Sequence, residues 1–304
     1  MLSYQKILHL GDPHLEALLH GPIVIQEKVD GSQFRWLKVD GELRFGSHHV
    51  NFGPEHPPDK LFRAAVEHLE VNKDYISEGV VFFAEVLDKP KHNTIVYEHI
   101  PTNHIMLFDA YDLDRQCWCD VRLLHSFTRF LGIDPPNVLS EGDGETYTLD
   151  TIEKILATQS YLGGAVIEGV VVKNYTQPSA DRFHQIGFCA GKMVRASFRE
   201  ENKQNWQGAG SIVDQIVGRY HTEARFEKAY VHARDAGELE YSMRDMVPLI
   251  GWMDVDIEEE VKGAAMEMFW ADARRDIEKR LKSGMAEWLK AKQMERQFGD
   301  SSHE

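Results

Sequence analysis

The sequence predicts an α+β chain. A domain of antiparallel sheets with flanking helices covers 1–204, a smaller all-α domain covers 205–297, and a disordered tail covers 298–304. Two observations carry this. Up to about residue 198, short apolar or alternating runs bounded by turn residues recur, as strands do. After Gln207-Gly208-Ala209-Gly210 those runs stop, and apolar residues recur only at helical spacing. With 304 residues the chain is long enough for two domains. An apolar fraction of 42% and a charged fraction of 27% fit a globular protein.

The first strand is Pro22-Ile23-Val24-Ile25, which runs into Glu27-Lys28-Val29-Asp30-Gly31. An alternating strand follows over 33–39. Asp40-Gly41 is a hairpin signal, and 42–48 is its return strand. Phe62, Ala65, Val66 and Leu69 share one face of a helix to Val71. Val80 to Leu87 is a buried strand with one carboxylate, Glu85. Such a group needs a structural partner or a ligand hydroxyl. His104 to Asp112 is the next strand, and Phe108 in it is either core or a platform for a base. Helices are predicted at 121–131 and at 151–161, the latter capped by Asp150. Ala165 to Tyr175 is an apolar strand carrying Glu168 and Lys173. Their odd separation places them on opposite faces unless Gly169 forms a bulge. Phe188 to Phe198, with Arg199 and Lys203 beyond it, is the basic concentration of the middle of the chain.

In the C-terminal part, Ile212, Ile216, Tyr220 and Ala224 mark one helix. A second, from about Ile257 to Lys292, has Asp254 or Asp256 as its cap and Glu258-Glu259-Glu260 in its first turn. Trp252, Trp270 and Trp288 are expected in the core.

Composition excludes some classes. No apolar run reaches the roughly 18 residues of a membrane span. The N-terminus lacks a signal-peptide core. Three cysteines, Cys117, Cys119 and Cys189, point to free thiols in a reducing compartment, hence a cytoplasmic protein. The formal net charge of −15 opposes a nucleic-acid partner unless positive charge is concentrated locally.

Lys28 stands at a strand end, with a glycine three places on where the backbone can approach a ligand. It reads either as a surface lysine before a turn or as a nucleophile. A lysine amine attacks phosphorus only after losing its proton, so a nucleophilic site must lower its pKa from about 10.4.

Lys28, Glu85, Phe108, Glu168-Gly-x-x-x-Lys173 and the basic strand with Lys192 and Arg195 occur in an order and at separations that resemble the covalent nucleotidyltransferases. These are the ATP-dependent RNA and DNA ligases and the mRNA capping enzymes. The likeness covers roughly residues 20–200. Phe-Ala-Glu-Val around Glu85, Leu-Phe-Asp around Phe108 and a helical continuation resemble the phage T4 RNA ligase 2 type.

That resemblance implies a nucleotidyltransferase (ATP-grasp-like ligase) domain. Lys28 would take AMP from ATP and release pyrophosphate, with Mg2+ (or Mn2+) placed by Glu168. Glu85 would bond the ribose and Phe108 would stack on adenine. Lys173 would contact the phosphate and help keep Lys28 uncharged. Lys192 and Arg195 would bind the ATP phosphates. Glu27, Asp30 and Gly31 flank the nucleophile in the nucleotide site. AMP would pass to an RNA 5′-phosphate, which a 3′-hydroxyl then seals, on nicked duplex or single strands. No membrane and no obligatory protein partner are implied.

The family often has an arginine about twenty residues after the lysine. Here either His48 substitutes, Arg44 is realigned, or the contact is missing. The last motif is Lys192-x-x-Arg195 in place of Lys-x-Lys, which puts its charges on opposite faces of a strand unless the strand bulges. Alternatives are a DNA ligase or GTP-dependent capping-type enzyme, or a non-catalytic nucleic-acid or protein-binding relative.

Overall fold

The lysine strand joins two sheets. In the computed structural model, which describes residues 1–179, 186–195 and 211–299, β2 (Pro22–Lys28) lies in one five-stranded sheet and β3 (Ser32–Val39) in another. The turn 29–31 is the crossing. The first sheet has the order β1-β10-β9-β2-β8, with β1 (Leu8–His9), β8 (Val138–Asp143), β9 (Gly169–Pro178) and β10 (Phe188–Val194). The second has the order β4-β3-β5-β6-β7, with β4 (Glu42–Ser47), β5 (Val80–Val86), β6 (Ile105–Asp112) and β7 (Cys117–Trp118). All pairings are antiparallel except β1 with β10.

The core has layers because strand side chains alternate between faces. Phe34, Trp36, Phe82 and Leu107 face outward from the second sheet. They pack on α1 (Lys60–Val71) and α2 (Val121–Leu131) through Phe62, Leu69 and Leu124. Ile23, Ile25, Val170 and Val172 face outward from the first sheet and pack on α3 (Leu149–Ile155) through Ile152. Between the sheets, Leu37, Val81 and Phe83 meet Phe188 and Ala190. Aspartates cap the first two helices. Asp59 accepts from the Leu61 N–H at 3.0 Å and Asp120 from the Leu123 N–H at 2.8 Å. α3 departs from expectation: Thr148, not Asp150, is the cap, in a reciprocal box with Thr151. The three thiols are free, two of them buried.

By contacts the chain forms two units. One is Met1–Arg199 with Phe226–Trp252, the other Glu200–Arg225 with Met253–Glu304. The boundary expected at 204/205 and the turn 207–210 lie outside the described residues, as do Arg199, Lys203 and the tail from 300. Helices α4 (Ile212–Tyr220), α5 (Glu223–Asp235), α6 (Met246–Asp256), α7 (Lys262–Leu281) and α8 (Met285–Gly299) replace the two helices expected.

The single helix predicted over 257–292 is broken twice. Ile257–Val261 is a π-helical turn, and Gly284 takes φ +83° between α7 and α8. Glu258, Glu259 and Glu260 therefore sit in the π turn and not in a first turn. Asp256, expected as a cap, pairs with Arg225. Trp270 and Trp288 are 53% and 61% exposed, so they are not core. No helix among the described residues is long and apolar enough to cross a membrane.

Candidate active site

Register sets the site. Lys28, the last residue of β2, pairs with Gly169, the first of β9. Glu168 precedes that glycine, and its carboxylate accepts two bonds from the Lys28 Nζ, at 2.7 and 2.8 Å. Glu168 is buried, while the Lys28 side chain is 32% exposed. Burial alone would lower the lysine's pKa. The Glu168 carboxylate beside it, with Glu85 and Asp30 farther off, outweighs burial and raises it. Lys28 is thus a cation, opposite to the lowered pKa that the sequence reading expects of a nucleophile.

Glu85 lies on the inward face of β5, two residues beyond Phe83. Its Oε2 is buried and has no hydrogen-bond partner among the described residues. Burial first, then the charges of Glu168, Asp235 and Asp30, push its pKa up to about 8 against the pull of Lys28. A buried carboxyl with an unused oxygen is costly unless a ligand meets it. Gly31 admits this approach: a Cβ there would lie 3.1 Å from Glu85 Oε2 and 3.0 Å from the Val86 carbonyl oxygen.

The flanking motif residues hold loops. Asp30 accepts from the backbone N–H groups of Thr94 and Ile95 at 2.8 and 2.7 Å. Glu27 points away from Lys28 and accepts from Asn137 Nδ2 at 2.7 Å, Ser160 Oγ at 2.5 Å and the Tyr161 N–H at 3.2 Å.

Lys192 is on the same face of the first sheet as Lys28, and its charge is felt at the Glu168 carboxylate. Arg195 follows the end of β10, and its backbone N–H donates to the Glu168 carbonyl at 3.0 Å. The strand therefore does not place both charges on its two faces. Lys192 is within it and Arg195 beyond it.

Lys173 shares the face of Lys28 but pairs with Val24, four residues back, about 13 Å at strand rise. There it donates to Asp109 at 2.7 Å and to the Phe108 carbonyl at 3.0 Å, almost fully buried. Asp109 also accepts from the hydroxyls of Tyr4 and Tyr175. Lys173 is thus committed to a carboxylate below the half-buried Phe108 ring, 5.2 Å from its ammonium. It is not the cation beside Lys28.

Arg44 is exposed on β4 and is not drawn into this cluster. His48 lies against His49, with ring centroids 4.2 Å apart, and bonds Gln33 through Nδ1. Burial, then His49 and His232, holds it neutral. No sequence pattern marks Asp109 as a hub, nor Arg234 and Asp235 as site residues. The latter pair sits in an undistinguished charged helix and reaches the lysine turn by long-range packing.

Among the described residues no three His, Cys, Asp or Glu side chains converge as a metal site. Glu168 offers one buried carboxylate, beside Lys28. That suits a hydrated divalent cation, which takes one or two carboxylates and completes its shell with water and phosphate oxygens.

A family model described as RNA ligase matches residues 21–186. No curated protein matches the chain in sequence. Among solved structures, the chain is similar to a Naegleria gruberi RNA ligase mutant with ATP and Mn, at 14% identity and TM-score 0.51, over 65% of this chain and 56% of that one. A second mutant of that ligase with ATP and Mn gives the same identity and TM-score, over 65% and 57%. A third, with AMP and Mn, gives 14%, 0.51, 65% and 57%. The chain spans little more than half the length of those structures, and at such identity the likeness is one of fold.

Proposed function

The chain belongs to the RNA ligase family, and on that premise we propose that it is an ATP-dependent RNA ligase of the T4 RNA ligase 2 type. The observation that carries the reading is the Lys28–Glu168 pair at the crossing between the sheets, beside the unused oxygen of Glu85. The helices after β10 support the subtype.

In the first step the Lys28 amine, having left Glu168 and lost a proton, attacks the α-phosphorus of ATP. The N–P bond forms as the bond from that phosphorus to the bridging oxygen breaks. Pyrophosphate leaves, and a further proton is released as the phosphoramidate forms. A Mg2+ or Mn2+ at Glu168 would neutralise phosphate charge.

The chain's own groups do the positioning. Glu85 accepts a ribose hydroxyl with the oxygen that nothing else uses. Phe108 presents a ring for adenine and Lys173 fixes that ring's strand through Asp109. Lys192, with Arg195, draws the leaving phosphates. AMP then passes to an RNA 5′-phosphate, and a 3′-hydroxyl displaces it. In this reading Asp30, Gly31 and Glu27 shape the turn, and His48 occupies the place of the family's arginine while Arg44 does not.

The test is incubation with α-labelled ATP and Mg2+. A lysine-linked label that survives alkali and is released by acid is expected, and Lys28→Ala abolishes it. Retention of label in that variant, or none in the wild type, overturns the reading. Parallel runs with GTP, and with nicked RNA, DNA and hybrid duplexes, separate it from a capping-type enzyme and a DNA ligase.

A further inference from the structure

Arg234, in α5, belongs to the segment Phe226–Trp252 that groups with residues 1–199. Its guanidinium grips the turn that follows Lys28. Nη2 donates to Ser32 Oγ at 2.7 Å, and Nη1 donates to Asn93 Oδ1 at 2.8 Å and to the His92 carbonyl at 3.2 Å. Asn93 passes the grip on, for its Nδ2 donates to the Gly31 carbonyl at 2.8 Å and to Asp30 Oδ1 at 3.3 Å. His92 Nε2 bonds Ser32 Oγ at 2.9 Å and closes the circuit. The buried Asp235 accepts from Nε and Nη2 at 3.0 and 2.8 Å, so the guanidinium charge is balanced where it stands.

The same segment has a second anchor. The His232 and Trp252 rings stack at 5.3 Å, and each lies about as close to His49, at 4.7 and 5.1 Å. His49 and His48 follow directly on β4. The segment is therefore fastened at two places, at the first residue of β3 with residues 92–93 and at His49 just after β4.

We propose that Arg234 is a positioning residue for Lys28. It clamps the Asp30–Ser32 turn against residues 92–93, so that the segment 226–252 serves the lysine nucleotidylation step and not the handling of nucleic acid alone. Arg234 touches neither Lys28 nor a place where phosphate would sit, and its charge is already paired. Its contribution lies in geometry. A planar fork with five N–H donors reaches four acceptors at once, on Ser32, His92, Asn93 and Asp235, whereas an ammonium has only three donors, all on one atom. Misplacement of a reacting group by about 1 Å costs about a hundredfold in rate.

This rests on the reading of Lys28 as the nucleophile, and the experiment separates the two. The single-turnover rate constant for lysine labelling by α-labelled ATP is measured for wild type, Arg234→Ala, Arg234→Lys and Arg244→Ala, the last an exposed arginine of the same segment. Loss of folded protein lowers the amplitude and leaves the rate constant alone, so a purely structural role does not move it. Arg234→Ala should slow the rate constant about tenfold or more at saturating ATP, with half-saturating ATP changed less than about threefold. Arg234→Lys should fall between, and Arg244→Ala should match wild type. A wild-type rate constant in Arg234→Ala overturns the proposal and leaves the function standing.

If Arg234→Ala does not fold, Asn93→Ala and Ser32→Ala carry the same measurement, and wild-type rate constants in both overturn it. Hydrogen exchange of the amides of residues 30–32 gives a readout without activity. Faster exchange in Arg234→Lys than in wild type is expected, and equal exchange overturns the clamp even where no lysine label forms and the function itself has failed.

Discussion

Lys28 and Glu168 hold each other, the lysine as a cation and the carboxylate with both oxygens engaged. If Lys28 is the nucleophile proposed, the carboxylate must be displaced before the amine can react. Glu85 beside them is the residue whose titration reports on the site. Its pKa in the folded chain is about 8, raised first by burial. An acid raised above its unfolded value holds a proton that the unfolded chain has already released. Stability is then lost as pH rises from the unfolded pKa towards the folded one. Asp235, raised by burial to about 6, acts the same way at lower pH, and Glu168 is also raised. Between pH 6 and 8, Glu85→Gln should therefore flatten the decline of stability that wild type shows. The change in slope should reach at most about 1.4 kcal/mol per pH unit. Urea unfolding at several pH values measures this, and equal slopes in the two proteins would refute the placement of that proton. At this scale Lys28, Glu85 and Glu168 were legible because a charge in an apolar strand is conspicuous. Lys173 was conspicuous for the same reason, yet its partner proved to be Asp109, since a strand pattern shows a buried charge without showing what pairs with it.

The turn between β2 and β3 shows why an element needs a particular residue. Gly31 has ordinary backbone angles, so it is not required for conformational freedom. It is required by crowding: a Cβ would lie 2.8 Å from Leu87 Cδ1 and 3.0 Å from the Val86 carbonyl oxygen. The leucine can turn aside and the strand carbonyl cannot. Gly31→Ala should destabilise the protein by about 1–3 kcal/mol, as overpacking does. It should also slow lysine labelling more than it lowers the folded fraction, because the displaced group is Glu85's strand. Melting temperature together with single-turnover labelling tests this, and a variant with unchanged melting and labelling would show that the turn has room. Strands with alternating or wholly apolar sequence were readable in advance. β8, Val-Leu-Ser-Glu-Gly-Asp, was not, because only its pairing with β2 makes it a strand. The break between α7 and α8 is also hidden, since Gly284 is one glycine among many until its φ of +83° is seen.

For the whole molecule, the sequence marks a change from strands to helices but not how the helices are shared out. Hydrophobic periodicity reports that a helix has a buried side, and the covering surface is set by contacts between residues hundreds of positions apart. Segment 226–252 carries no strand signal, yet it groups with residues 1–199. It brings Arg234 to Ser32 and Asn93. A division at the composition shift would remove it from the unit that holds Lys28 and Glu168. The two possible cuts then have different outcomes. A chain ending at Arg199 keeps Lys28, Glu85, Glu168, Lys192 and Arg195 but loses the guanidinium that grips the lysine turn. A chain ending at Trp252 keeps that grip and loses the last turn of α6 with the helices after it. If the segment serves the first chemical step, the longer chain should form the lysine-linked label with a rate constant within about threefold of the full chain. The shorter one should be slower by about tenfold or more, the cost of a loosened reacting group. Loss of sealing in the longer chain with labelling intact would assign residues after 252 to the RNA. Equal labelling rate constants in both truncated chains would return the whole helical region to that role and leave residues 1–199 as a self-sufficient unit.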